Sequence, residues 1–262
     1  MIKVVLFDLD GTVYLGGKLI KGADALFRKL QKQGVPFAFM TNNSSIGPAD
    51  YLEKLKSLNL PATADNILTS CEAAKLMLDD LKLGPKIYVL GTKKFAKYLA
   101  SVGFENTENN PSAVLVGFDK ELTFEKLTAA TRFVHKGVPL VASHPDLECP
   151  SPDGPLSDAG MILAAIKSST GVSPKAIAGK PNRWIVKLAR EKFGVKNNEI
   201  AIVGDRMSTD MRMAHKFGMK GVLVLSGVTK RADLKKFNFA PDVIVDSVAD
   251  FKDDKVFSKL LK

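Results

Sequence analysis

The stretch that decides the fold is Val4-Val5-Leu6-Phe7-Asp8-Leu9-Asp10-Gly11-Thr12. Four consecutive apolar residues without alternation read as a strand buried on both faces, which is the habit of a parallel sheet. The run stops at Asp8. In open α/β sheets, ligands sit in the crevice at this carboxyl edge of the strands. A turn bending at Gly11 would account for one aspartate there. Two of them at the end of a buried strand repel each other and are costly unless a cation holds both.

Outward from this strand, short apolar runs alternate with amphipathic segments almost end to end. Strands are predicted over residues 3–7, 36–40, 86–90, 113–118, 139–142, 176–178, 199–203, 220–225 and 242–245. Helices lie between them, as at residues 24–33, where Leu26, Phe27 and Leu30 share a face and Gly34 follows. Residues 181–193 read likewise, with Trp184, Ile185 and Leu188 on one face, Pro181 at the start and Gly194 as the stop, so Trp184 is expected in the core. The rhythm is βαβα, and the fold class is α/β with a Rossmann-like, doubly wound parallel sheet. Leu147 to Asp158 is the segment richest in turn residues, with Pro150, Pro152, Gly154 and Pro155. It reads as a long functional loop, in mid-chain and far from the motifs at either end.

Three further clusters follow apolar runs. Thr41-Asn42-Asn43-Ser44-Ser45 offers short hydrogen-bonding side chains, which capping of a helix from near Pro48 would by itself explain. Ala178-Gly179-Lys180-Pro181 sets one lysine between a strand and a helix. Val203-Gly204-Asp205-Arg206-Met207-Ser208-Thr209-Asp210 brings two more carboxylates beside a glycine, with Thr209 suited to cap a helix from Met211. Together they define a divalent-metal pocket in which Asp8 and Asp205 are hard oxygen ligands and Lys180 is a nearby cation. Mg²⁺ suits one or two carboxylates shared with water and phosphate oxygens. A carboxylate approaches an anionic phosphate only where metal and lysine offset the charge, so the set suits phosphoryl transfer to an aspartate.

Composition narrows the alternatives. The 262 residues, 45% of them hydrophobic, predict one large or two modest globular domains. No apolar run approaches the roughly 18 residues that span a bilayer, so no membrane association is expected. Met1-Ile2-Lys3 leads into the first strand without a signal-peptide pattern, which makes the cytoplasm the expected compartment. Cys71 and Cys149 form no pair or cluster and read as bland thiols. The net charge of +10 comes from lysines scattered among acids, with seven arginines against 31 lysines and no interleaved aromatics. No nucleic-acid partner is therefore expected.

Asp8-Leu9-Asp10-Gly11-Thr12, Thr41-Asn42-Asn43, Gly179-Lys180-Pro181 and Gly204-Asp205-Arg206 with Asp210 resemble the four ordered motifs of the haloacid dehalogenase superfamily. The nearest branch is the NagD-like and 4-nitrophenylphosphatase group. It carries a large type IIA cap between the second and third motifs. The resemblance implies a catalytic core of residues 1–80 and 175–262, interrupted by an inserted, smaller α/β cap domain of residues 81–174. It implies Asp8 as the nucleophile that forms an aspartyl-phosphate, and Asp10 as the acid that protonates the leaving oxygen and then activates water. By the same resemblance Thr41, Asn42 and Asn43 bind phosphoryl oxygens and Lys180 neutralises them. Asp8, Asp10 through its carbonyl, Asp205 and Asp210 hold Mg²⁺. Dehalogenases of the superfamily lack an acid at the position of Asp10, so its presence favours phosphate esters.

In relatives a cap loop closes over the leaving group. Here the corresponding run is Ser143-His144-Pro145-Asp146, where many relatives have Thr-Asn in place of Ser143-His144. His144 reads equally as a leaving-group contact or a turn residue, and Asp146 as a substrate or cap-positioning residue. The implied function is hydrolysis of a small phosphomonoester, of the nucleoside monophosphate, phosphoglycolate, sugar phosphate or 4-nitrophenyl phosphate type. Phosphotransfer to another alcohol, and a silent phosphate-binding module, are the competing readings. Oligomeric state stays open, with pairing through the cap as the arrangement that capped relatives suggest.

Overall fold

The computed structural model describes all 262 residues. Its larger sheet has six parallel strands in the order Val243–Val245, Lys220–Val224, Ile200–Gly204, Val4–Asp8, Phe37–Thr41, Ile67–Thr69. The opening strand lies in the interior of this order, with Phe7 level with Val203 on one side and with Phe39 on the other. From it the chain winds outward through Phe37–Thr41 and Ile67–Thr69, then returns to the opposite flank at Ile200–Gly204. That reversal is a topological switch point, and Asp8 and Asp205 stand at its carboxyl edge.

Alternation along Val4–Asp8 explains why the run is wholly apolar. Val4 and Leu6 enter one buried cluster, whereas Val5 and Phe7 enter another on the opposite face. Helix Ala23–Lys32 closes the second face, and the Phe27 ring packs 5.0 Å from Phe7 and 4.9 Å from Phe39. Phe27→Ala is expected to cost about 3–5 kcal/mol of unfolding free energy, read by urea denaturation. A loss near that of a typical surface substitution, within about 0.5 kcal/mol, would remove this ring from the core account.

A smaller parallel sheet is inserted, in the order Ala176–Ile177, Leu140–Ala142, Val114–Val116, Lys86–Leu90, Glu105–Asn106. Helices Phe124–His135 and Ala159–Thr170 bury Ala130, Val134, Ile162 and Ile166 against one face of it. Its other face supplies Val89 and Leu115 to the cluster that also holds Val4 and Leu6, so the two sheets share apolar packing. Ala176–Ile177 pairs with Leu140–Ala142, so this sheet takes its last strand from beyond residue 174.

Several local expectations are corrected. Ile67–Thr69 is a core strand with no sequence forecast, since three residues carry no periodicity. The helix after Lys180 begins at Arg183 with Asn182 at its cap, not at Pro181. A π-helical turn, Met207–Met211, precedes helix Arg212–Phe217, which places Thr209 inside the turn and not at a cap. Trp184 is buried as expected, and its indole N–H donates to Asp80 Oδ2 at 3.1 Å. No helix is long and apolar enough to cross a membrane.

Candidate active site

Three of the four motif loops meet around one buried lysine. Lys180 is 2% exposed, and its Nζ donates to Asp8 Oδ1 at 2.5 Å and to Asp210 Oδ1 at 2.6 Å. Burial alone would lower its proton affinity, but Asp210 and Asp8 more than offset this and hold it raised, so it is a fixed cation. Asp210 is anchored in turn by the Arg206 N–H at 3.2 Å. Asp8 has Oδ1 committed to the lysine, and the residue lines the pocket.

Asp205 completes the cluster. Oxygens of Asp8, Asp205 and Asp210 lie within 4.8 Å of one another. Asp205 Oδ2 accepts from the Val228 N–H at 2.6 Å, whereas its Oδ1 is buried with no hydrogen-bond partner. Such an orphaned oxygen is expensive in an interior. Burial, then the charges of Asp8 and Asp210, push the Asp205 carboxyl well above the usual carboxylate range. Three carboxylates facing one ammonium leave an excess of negative charge that a hard divalent cation would balance. The loop behind them is shaped for this approach: a Cβ at Gly227 would come within 1.9 Å of Asp205 Oδ2, and Gly11 holds φ +90° against the same carboxylate.

Asp10 stands apart from this oxygen cluster. Its half-buried carboxylate accepts from the Tyr14 hydroxyl at 3.4 Å, and Lys54 sits 4.0 Å over the Tyr14 ring. Burial raises its proton affinity, and Lys54 opposes the rise. A carboxyl whose proton affinity is raised at the pocket wall suits proton donation.

The polar run after Phe37–Thr41 is a brace as well as a wall. Asn42 Oδ1 accepts from the Lys180 N–H at 2.8 Å, and its Nδ2 donates to Lys180 O at 3.1 Å and to Asp146 Oδ2 at 3.2 Å. Asn43 reaches Cys149 Sγ at 3.7 Å, while its Oδ1 accepts from Ser45. Thr41 lines the pocket at the strand end and receives the Asn43 N–H at 3.1 Å.

The smaller unit supplies the remaining wall. Asp146, Glu148, Cys149, Pro150 and Asp158 line the same pocket as Asp8, Asp10 and Lys180. The Leu147 to Asp158 segment, read as a functional loop and distant from the motifs along the chain, thus lies against them in the fold. Its limbs Glu148–Cys149 and Leu156–Ser157 pair as an antiparallel ribbon, and Arg206 donates to Glu148 O at 2.8 Å across the gap. Cys149 is thus a pocket residue, with its thiol kept protonated by burial. His144 is fully buried and bonded to Ser143 and Asp158, and it does not line the pocket. Glu148, Pro150, Asp158, Arg206 and Thr209 went unassigned in the sequence. Arg206 and Thr209 lie inside a quoted cluster, and Glu148, Pro150 and Asp158 lie inside the loop marked as functional, but nothing local singles out these side chains.

A buried aspartate clamped by a lysine, beside an orphaned acidic oxygen and a separate protonatable carboxyl, defines a hydrolase site for phosphate esters. Residues 5–105 match the haloacid dehalogenase-like hydrolase family, and residues 177–251 match a second HAD-hydrolase-like family. The chain is 32% identical over 248 residues to the dihydroxyacetone phosphatase of Corynebacterium glutamicum, covering 95% of this chain and 90% of the relative. It is 33% identical over 240 residues to the acid sugar phosphatase of Staphylococcus aureus, covering 91% and 92%. Its structure resembles the 4-nitrophenylphosphatase of Thermotoga maritima, with TM-score 0.89, 39% identity and 95% of each chain covered. It also resembles the glycerol phosphate phosphatase of Mycobacterium tuberculosis in complex with calcium, with TM-score 0.84, 28% identity, and 94% of this chain and 74% of that one covered. The chain belongs to the haloacid dehalogenase-like hydrolases, as an enzyme of their phosphatase group.

Proposed function

We propose that the chain is a Mg²⁺-dependent phosphatase of small, hydroxyl-bearing phosphomonoesters that acts through an aspartyl-phosphate at Asp8. The observation that carries this reading is the Asp8–Lys180–Asp210 clamp beside the orphaned Asp205 oxygen. Asp8, Asp205 and Asp210 are the side chains that would hold the ion. Bound there, it supplies positive charge that lets a carboxylate and a phosphate share the pocket.

The chain's own residues perform the two displacements. Lys180 fixes one oxygen of Asp8, and the other is the one left to attack the phosphorus. As the Asp8 oxygen–phosphorus bond forms, the bond from phosphorus to the alcohol oxygen breaks, and Asp10 gives its proton to that oxygen. Asp10, now a carboxylate, takes a proton from water. The water oxygen attacks the phosphorus, and the bond to Asp8 breaks, returning the enzyme and releasing phosphate. Thr41 and Asn42 border the phosphoryl group, and Lys180 offsets its charge throughout.

The lining supports the substrate class. Only Cys149 and Pro150 among the thirteen residues that line the pocket are apolar, and no aromatic ring is present to stack on a base. Asp146, Glu148 and Asp158 present acceptors that suit hydroxyls and disfavour a second carboxylate. The open space is small, about 30 Å³. We read the smaller unit, which walls one side of it, as a cap that moves away to admit substrate. Phosphate release from a panel of esters, with Mg²⁺ or with chelator, tests this. Triose, glycerol and sugar phosphates are expected to exceed adenosine monophosphate and phosphoglycolate by about tenfold or more in kcat/KM, a margin of ~1.4 kcal/mol. Preference for the nucleotide would sink the substrate class, and unchanged release in chelator would sink the metal.

A further inference from the structure

A buried chain of hydrogen bonds runs beside the pocket and is used by none of the steps above. The Phe118 N–H donates to Ser44 Oγ at 2.9 Å, Ser44 Oγ meets Ser143 Oγ at 2.9 Å, and Ser143 Oγ meets His144 Nδ1 at 2.8 Å. On the other side of the ring, His144 Nε2 meets Asp158 Oδ1 at 2.8 Å, which also accepts from the Ala159 N–H at 2.6 Å. Ser44, Ser143 and His144 are wholly inaccessible, and Asp158 is 2% exposed.

The chain has one self-consistent direction. Because Phe118 donates to Ser44 Oγ, the Ser44 hydroxyl is free to donate to Ser143, whose hydroxyl then donates to Nδ1. Nε2 keeps the proton and donates to Asp158. In the reverse direction the Ser44 hydroxyl would have no acceptor, since its only other partner is the Phe118 N–H. An unmet hydroxyl in a fully buried place is costly. Both ring nitrogens are thus engaged, so His144, Asp146 and Asp158 do not form a metal site although their ligand atoms are close.

The ends of the chain are what give it consequence. Ser44 belongs to the loop that carries Thr41 and Asn42. Ser143 O accepts from the Gly179 N–H at 2.6 Å, one residue before Lys180. Asp158 N–H donates to Leu147 O at 3.0 Å, closing the base of the Glu148–Ser157 ribbon. Asp146, two residues from His144, holds Asn42. We propose that His144 is a positioning residue: through Ser143 to Ser44, and through Asp158, it seats the Asp146 loop and the ribbon on the phosphate pocket, without itself touching substrate.

The role separates cleanly from its rivals. The inference rests on the phosphatase reading for its kinetic arm only, because a second arm reads the ring directly. His144→Phe is expected to lower kcat/KM for 4-nitrophenyl phosphate about tenfold, a coupling of ~1.4 kcal/mol, and by at least as much for a glycerol or sugar phosphate, whose hydroxyls meet the loop and ribbon that it seats. His144→Gln, which can still donate to Asp158, is expected to recover part of the loss. A loss confined to the hydroxyl-bearing esters, with 4-nitrophenyl phosphate turned over as by the wild type, would make His144 a substrate contact and overturn the proposal. A fall in Tm with unchanged kcat/KM in the folded enzyme would reduce the residue to a structural role and also overturn it. Ser44→Ala breaks the far end of the same chain, so combining it with His144→Phe is expected to cost no more than the worse single change. Multiplying losses would refute a single relay. Independently of turnover, ¹⁵N NMR is expected to find His144 as the neutral tautomer with the proton on Nε2 at mildly alkaline pH, and Ser44→Ala to shift its Nδ1 resonance. A proton on Nδ1 there, or an indifferent Nδ1, contradicts the relay even if no ester is hydrolysed.

Discussion

Asp8→Asn is expected to abolish turnover while leaving the fold intact. The amide oxygen is a poor nucleophile and carries no charge for Lys180 to balance, so the first displacement has no attacking atom. Losses of a covalent nucleophile run to on the order of 10⁵-fold or more in kcat, and the same is expected here. The fold survives because the substitution is isosteric and removes one of the three mutually repelling carboxylates Asp8, Asp205 and Asp210. Steady-state phosphate release and a thermal melt on one preparation check both halves. Residual activity within about tenfold of wild type would remove Asp8 from the covalent role.

Asp10→Asn is expected to be the second largest effect, at about 10²–10⁴-fold in kcat. Asp10 lies off the Asp8, Asp205 and Asp210 cluster, held by Tyr14 and raised by burial. In the proposed mechanism it delivers a proton to the leaving oxygen and takes one from water, and an amide does neither. The loss should depend on the leaving group. With 4-nitrophenyl phosphate, whose phenolate departs without help, formation of the intermediate is expected to suffer less than with an alkyl phosphate. Pre-steady-state kinetics separates the two steps. Equal retardation of the first step for both esters would show that Asp10 acts on something other than the leaving oxygen.

The catalytic centre was legible in the sequence because of where its residues fall on a parallel sheet. A strand buried on both faces must be apolar until it emerges, so Asp8 after Phe7 and Asp205 after Gly204 mark the edge where ligands bind. The wall supplied by the smaller unit was legible only in part: Asp146 and a functional loop from Leu147 to Asp158 stood out, but not which of its side chains face Asp8. Glu148–Cys149 and Leu156–Ser157 pair over two residues each, too few for a periodic signal, and only tertiary packing carries them over Asp8. His144 shows the same limit from another side. As a lone histidine it looked equally like a contact or a turn residue. Its partners Ser44 and Asp158 lie in separate loops, and only the folded chain sets them on one line of hydrogen bonds. Asp210 is intermediate: its place in the motif was plain, but its second task of holding Lys180 was not.

The measurement that bears most directly on the central claim is chemical trapping of the phosphorylated carboxylate. The wild-type enzyme, mixed with Mg²⁺ and excess ester, is quenched in acid during turnover and reduced with borohydride, which converts an acyl phosphate to an alcohol. Peptide mass spectrometry is expected to find homoserine in place of Asp8, in the wild type alone and only when ester and metal are both present. Turnover that leaves Asp8 unmodified, or homoserine at Asp10, Asp205 or Asp210 instead, would contradict the account.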